Sequence, residues 1–111
     1  MDKVIEKDIQ SRTTPGWDGL STPPGWDNLV SELHVELIRI DPDYTVQQIK
    51  EKFGGLRFYC NIQPREGEAR SLIEIAEAKS YRTCQVCGVS GTTESINGWY
   101  STLCDPCRKE K

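Results

Sequence analysis

The chain has 111 residues, of which 36% are hydrophobic and 28% charged. That suits one domain, or a small α/β body with an appended module, and excludes two domains with separate large cores. No apolar run approaches a membrane span, and a formal net charge of −3 gives no general attraction for polyanions. The charge is uneven: residues 1–45 carry nine acids and four bases, 46–82 five and seven, and 83–111 three of each, so a polyanion contact would have to be local and centred on the middle segment.

Met1 to Ser11 is mostly charged, with only Val4, Ile5 and Ile9 to bury, and reads as a frayed stretch or a short helix. It has no apolar core of the kind a signal peptide needs, so a reducing, cytoplasmic setting is expected. A short repeat follows. Thr13-Thr14-Pro15-Gly16-Trp17-Asp18-Gly19-Leu20 matches Thr22-Pro23-Pro24-Gly25-Trp26-Asp27-Asn28-Leu29 at six of eight positions with a period of nine. Two Pro-Gly-Trp elements on a stiffened chain could act as a recognition arm, with Trp17 and Trp26 as anchors, or could fold back to cap the core. The second copy is expected to fold back, because Asp27 is placed to cap a helix from about Asn28 to Ile40 whose Leu29, Leu33, Leu37 and Ile40 recur at helical spacing. The helix should stop before Asp41-Pro42. The single histidine, His34, lies in that helix and is expected to be solvated or packed.

From Thr45 to Phe53 two readings compete. Val46, Ile49 and Phe53 share a helical face, with a capping-box pattern at Thr45 and Gln48 and a C-cap at Gly54. A hairpin turning at Gly54-Gly55 is the rival, but Val46 and Ile49 would fall on opposite faces of a regular strand, so the helix is favoured. Leu56 to Ile62 alternates as a strand, with Leu56, Phe58, Cys60 and Ile62 inward and Arg57, Tyr59 and Asn61 outward. Cys60 then reads as a small core residue. After a polar linker at Pro64 to Gly67, a helix is expected from about Glu68 to Ser80, with Leu72, Ile75 and Ala76 on one side and Arg70, Glu74 and Glu77 outward.

The clearest chemistry is at the C-terminus. Cys84-Gln85-Val86-Cys87 and Cys104-Asp105-Pro106-Cys107 are separated by sixteen residues, a C-x2-C-x16-C-x2-C spacing suited to one tetrahedral Zn2+. Between them Asn97-Gly98, the favoured pair for a type I′ turn, joins Thr92 to Ile96 with Trp99 to Leu103. Gly88 lets the first knuckle turn its amides toward sulfur. The expectation is a zinc ribbon with Cys84, Cys87, Cys104 and Cys107 as ligands of one structural Zn2+, and Tyr81, Trp99 and Tyr100 as residues that could pack it on the body. Four cysteines close the coordination shell, and no nucleophile–base pair or phosphate-cradling loop is evident, so no enzyme is expected.

The expected fold class is therefore α+β: an N-terminal arm (1–24), a helix and strand body (25–82) and a four-cysteine ribbon (83–111). Gly25-Trp26, Lys50-Glu51-Lys52-Phe53-Gly54-Gly55-Leu56-Arg57-Phe58-Tyr59, Ile75-Ala76-Glu77, Ser80, the cysteine pairs and Gly98-Trp99 resemble a family of small zinc-ribbon proteins of bacteriophages and prophages. The resemblance covers about Gly25 to Cys107, carries nothing over to Trp17, and implies no particular activity. A fainter similarity links the cysteine segment to the fingers of DksA-type RNA-polymerase-binding factors, whose long coiled coil has no counterpart here. Two functions are in view. The first is a phage-type binder that occludes a host or anti-phage defence protein through Lys50, Lys52, Arg57, Tyr59 and the two repeat tryptophans. The alternative is a nucleic-acid-associated zinc module in which Lys50, Lys52, Arg57 and Arg65 meet phosphates and Tyr59 or Trp99 stacks on bases.

Overall fold

The computed structural model describes residues 1–111 except Asp18, Pro64 and Lys111, so one residue of the first Trp repeat and one of the expected linker lie outside the described residues. The elements run α1 (Lys3–Ser11), β1 (Gly19–Ser21), a 3-10 turn (Pro24–Trp26), α2 (Asp27–Ile40), β2 (Thr45–Lys52), β3 (Gly55–Asn61), α3 (Glu66–Ser80), β4 (Thr92–Ile96), β5 (Trp99–Leu103) and α4 (Asp105–Lys109). This is the expected α+β fold. No helix among the described residues is long and apolar enough to cross a membrane.

The body is a three-stranded sheet in the order β1-β2-β3, parallel between β1 and β2 and antiparallel between β2 and β3. Val30, Leu33, Leu37 and Ile40 form the buried stripe of α2 at helical spacing, and they meet Trp26, Val46, Ile49, Leu56 and Phe58 in one core. Each such side chain, fully buried, contributes roughly 1.5–3 kcal/mol. α3 lies along the outer edge of β3 and occupies its free amides: Leu56 N–H donates to Ser80 Oγ at 2.8 Å and Phe58 N–H to a Glu77 carboxylate oxygen at 3.1 Å. Glu77, expected outward, is thus turned to the sheet, where it blunts an exposed edge.

The favoured helix over 46–53 is overturned, because that stretch is β2. Its register shifts between Val46 and Gln48, so Val46 pairs with Cys60 while Gln48 pairs with Tyr59. Gln47 is therefore an extra residue, a β-bulge, and it brings Val46 and Ile49 to the same buried side despite their odd spacing. The turn is Phe53-Gly54 rather than Gly54-Gly55, and it leaves Phe53 58% exposed, away from the buried Val46 and Ile49 with which it was expected to share a helical face.

The N-terminal stretch is packed on the body. Ile9 of α1 is fully buried, Val46 N–H donates to Arg12 O at 2.9 Å, Thr14 N–H donates to Val46 O at 2.8 Å, and β1 continues the pairing along β2. The reason is the free edge of β2, whose backbone groups need partners. Trp17 stays 52% exposed, whereas Trp26 is fully buried with its indole N–H donating to Thr83 O at 3.0 Å. Trp26 is therefore a core residue and presents no surface for the contact expected of it. Asp27 begins α2 as its first residue instead of capping it, and its carboxylate meets the Met1 amino group.

His34 is buried in a polar network. Its Nε2 lies 2.7 Å from Asp8 Oδ2, its Nδ1 meets the Tyr44 hydroxyl, and Arg12 Nε donates to the same Asp8 oxygen at 3.0 Å. Burial pushes the His34 pKa down, against the opposing pull of Asp8. Burial acts to raise that of Asp8, yet the hydrogen bonds from Arg12 and His34 leave it lowered.

Candidate metal centre and contact surface

The ribbon is built as its residues dictate. β4 and β5 pair from Thr92↔Leu103 to Ile96↔Trp99, and Asn97 and Gly98 turn at φ +53° and +82°. In the first knuckle Cys84 N–H donates to Val89 O at 2.7 Å and Gly88 N–H to Cys84 O at 3.0 Å, with Gly88 at φ +83°. The second pair opens α4: Cys104 precedes its first residue, Pro106 lies in its first turn, and Arg108 N–H donates back to Cys104 O at 2.9 Å. Gln85 ties the knuckle to β5, donating through its N–H to Thr102 O at 2.9 Å.

These elements bring Cys84, Cys87, Cys104 and Cys107 together, with all four sulfurs within 4.8 Å of one another and Cys87 and Cys104 Sγ 3.6 Å apart. A tetrahedral ion with sulfur bonds of ~2.3 Å sets its ligands about 3.8 Å apart, so the cluster fits a metal ion. The electrostatics agree. Burial resists ionisation of Cys84, but the backbone N–H groups of Cys87, Cys104 and Val86 outweigh it and bring the thiol down to about 6. Cys107 is pushed up, first by its hydrogen bond with Cys104 and then by burial. Thiolates so close repel one another, and a bound cation removes that penalty. Cys60 lies apart from the cluster, partly buried beside the core, and burial raises its thiol to about 11, in keeping with a packing role.

The ribbon docks closely on the body. Gly25 N–H donates to Gln85 O at 2.8 Å, and a Cβ at Gly25 would lie 2.0 Å from Cys84 O, so only glycine permits this approach. At the other end of the seam Thr102 Oγ1 donates to Gly54 O at 2.7 Å, and Thr93 Oγ1 lies 2.8 Å from Tyr81 O and 2.6 Å from Thr102 Oγ1. Of the three aromatics expected at this joint, Tyr81 and Tyr100 line it, while Trp99 is 82% exposed.

Four of the expected contact residues share the sheet face opposite the buried side chains. Lys50 is directly across from Arg57, Gln48 from Tyr59, and Lys52 follows Lys50 by two residues. Lys52 and Tyr59 are exposed, and Lys50 and Arg57 partly so. Lys52 Nζ sits 5.5 Å from the Phe53 ring centroid, and Arg57 Cζ sits 6.0 Å from that of Tyr81 while its guanidinium donates to Leu56 O at 3.0 Å. Trp17 lies outside this strand pairing, before β1. Phe53 and Tyr100 were not expected as surface residues. The signal for Phe53 was its place before a glycine between two alternating segments, which is the pattern of a two-residue hairpin turn.

No protein-family model, curated protein or solved structure matches the chain.

Proposed function

We propose that this chain is a non-catalytic binding protein in which one structural Zn2+, held by Cys84, Cys87, Cys104 and Cys107, fixes the ribbon against the body and presents a contact surface to a partner protein. Thiolates suit zinc, and four of them complete its shell and leave no position for a reacting water. The ion supplies folding free energy, roughly 10 kcal/mol or more for a structural site at neutral pH. What carries the reading is the surface beside it, where Phe53, Ile96, Trp99 and Tyr100 are exposed at the β2–β3 turn and on the ribbon, with Lys52 and Arg57 close to the seam. Aromatic side chains and arginine are the residues enriched in protein contact sites, and exposed apolar groups of this size ask for a partner. The resemblance to small phage zinc-ribbon proteins points to a host or anti-phage defence protein, occluded in the host cytoplasm. The test is the pair Lys50→Glu and Arg57→Glu. Melting temperature and metal content should stay near the parent's, within about 0.5 kcal/mol, while capture of the partner from host lysate should weaken at least tenfold, about 1.4 kcal/mol. A double variant that captures its partner as well as the parent does overturns this surface and moves attention to Trp17.

A second reading, nucleic-acid association, is favoured by one observation: Lys50, Lys52, Arg57 and Tyr59 share a face. It predicts retention on heparin or single-stranded DNA at low salt that collapses as salt is added.

A further inference from the structure

At the seam, Phe53, Tyr81, Thr93 and Tyr100 line a shallow cavity of about 400 Å3. Two walls come from the body, the β2–β3 turn and the residue after α3, and two from the ribbon, β4 and β5. Phe53 and Tyr100 stand edge to face, with centroids 5.7 Å apart and planes at 77°. Phe53 also holds φ at +54°, a left-handed conformation that a bulky side chain rarely adopts. Asparagine would turn the hairpin at lower cost, so the strain at Phe53 is maintained for its ring, and strain of this kind concentrates at binding sites.

The charges beside the slot are positive. Lys52 lies over the Phe53 ring and Arg57 over that of Tyr81, and among the described residues neither has a carboxylate within ion-pair distance. Glu51 accepts the Gly54 N–H at 2.7 Å and Glu94 meets Arg108 at 2.7 Å, while Glu77 accepts the Phe58 N–H at 3.1 Å and also attracts the Arg57 guanidinium, which hydrogen-bonds Tyr81.

We propose that this three-ring slot is the anchor site for an acidic peptide segment of the partner, with an aromatic or large aliphatic side chain between Phe53, Tyr81 and Tyr100 and a flanking carboxylate on Lys52 or Arg57. This rests on the protein-binding function and names the chemistry of what is bound. A cationic anchor would meet two cations already at the rings. A nucleic-acid strand would need a continuing track of bases, which a chain of net charge −3 does not offer. Because half the slot belongs to the ribbon, its assembly depends on the metal-held fold.

The probes are the blocked tripeptides Ac-Glu-Phe-Glu-amide and Ac-Lys-Phe-Lys-amide and a short oligothymidylate strand, titrated into the zinc-loaded full chain and followed by amide NMR shifts. The acidic peptide should move the amides of Gly54, Tyr81, Thr93 and Tyr100 saturably and bind at least about tenfold more tightly than the basic one. Phe53→Asn should abolish that binding with no fall in melting temperature, since asparagine accepts the left-handed backbone. Equal affinity for both peptides, undiminished binding by Phe53→Asn, no saturable shift with any probe, or tighter binding of oligothymidylate would each overturn the proposal. If the slot fails while Lys50→Glu with Arg57→Glu still loses the captured partner, the binding function stands and only its anchor site falls.

Discussion

Phe53-Gly54 and Asn97-Gly98 turn their hairpins with nearly the same backbone, φ +54° and +84° in one and +53° and +82° in the other. Asparagine tolerates the left-handed region through its short polar side chain, whereas phenylalanine pays roughly 1–2 kcal/mol to occupy it. Their surroundings differ in the same sense. A Cβ at Gly98 would meet nothing within 4 Å, while one at Gly54 would lie 3.1 Å from Thr93 Cγ2 and 3.4 Å from Tyr100 Cβ. The ribbon turn stands in solvent, and local chemistry chose its residues. The body turn is pressed against the ribbon, so its residues answer to that contact as well as to local preference.

The largest way to separate the two turns is to remove the metal. Chelation, or Cys104→Ser, should cost the ribbon roughly 10 kcal/mol of metal-coupled folding, so NMR signals around Asn97-Gly98 should collapse while those of the β2–β3 pairing persist. Metal analysis of chelator-free protein should return one Zn2+ per chain. Less than half an equivalent, or a ribbon that survives chelation, removes the zinc assignment.

Next comes the bond that joins the body turn to the ribbon strand β5. Thr102→Val keeps the volume but removes the hydroxyl that donates to Gly54 O, leaving a buried carbonyl short of a partner. The expected loss in chemical denaturation is about 1–3 kcal/mol. A neutral result would mean that the remaining seam contacts, at Gly25 and between Thr93 and Tyr81, hold the ribbon without it.

Exchanging the turn residues should give smaller changes of opposite sign. Phe53→Asn should stabilise the protein by about 1 kcal/mol, and Asn97→Phe should destabilise it by a similar amount. Equal destabilisation by both would show that the Phe53 ring gives the fold more through Tyr100 than its backbone costs.

The smallest effect concerns the body that supports the first turn. The folded pKa of His34 is depressed below 6.5, so the unfolded chain binds the extra proton as pH falls, and stability is full above about 6.5 and declines below it. Unfolding of the chelated protein between pH 7 and 5, where zinc release cannot contribute, should show this decline. It should flatten in a His34→Gln variant corrected for its lower starting stability.

Much of the ribbon was legible because its signals are local. Cysteine spacing names the four residues that cluster, Asn97-Gly98 names the turn, and β4 and β5 occupy the segments expected on either side of it. α2 stops at Ile40, before Asp41-Pro42, and α3 begins two residues before its expected start. The proposed contact surface was legible only in part. Lys50, Lys52, Arg57 and Tyr59 do share a face, but Trp26 went to the core, and the slot at Phe53 and Tyr100 draws on residues nearly fifty positions apart.

By itself, then, the sequence determined the four-cysteine cluster, the ribbon hairpin, the two long helices and the strand β3, each set by spacing, turn chemistry or a period that neighbouring residues carry. Tertiary structure decided that Thr45–Lys52 is a strand, that the N-terminal stretch packs on the body, and that one repeat tryptophan is buried while the other is not. The physical reason is that β2 draws its stability from partners far along the chain. Arg12, Thr14 and β1 satisfy one edge and β3 the other, and a single bulge at Gln47 turns a helical spacing of apolar residues into one buried strand face.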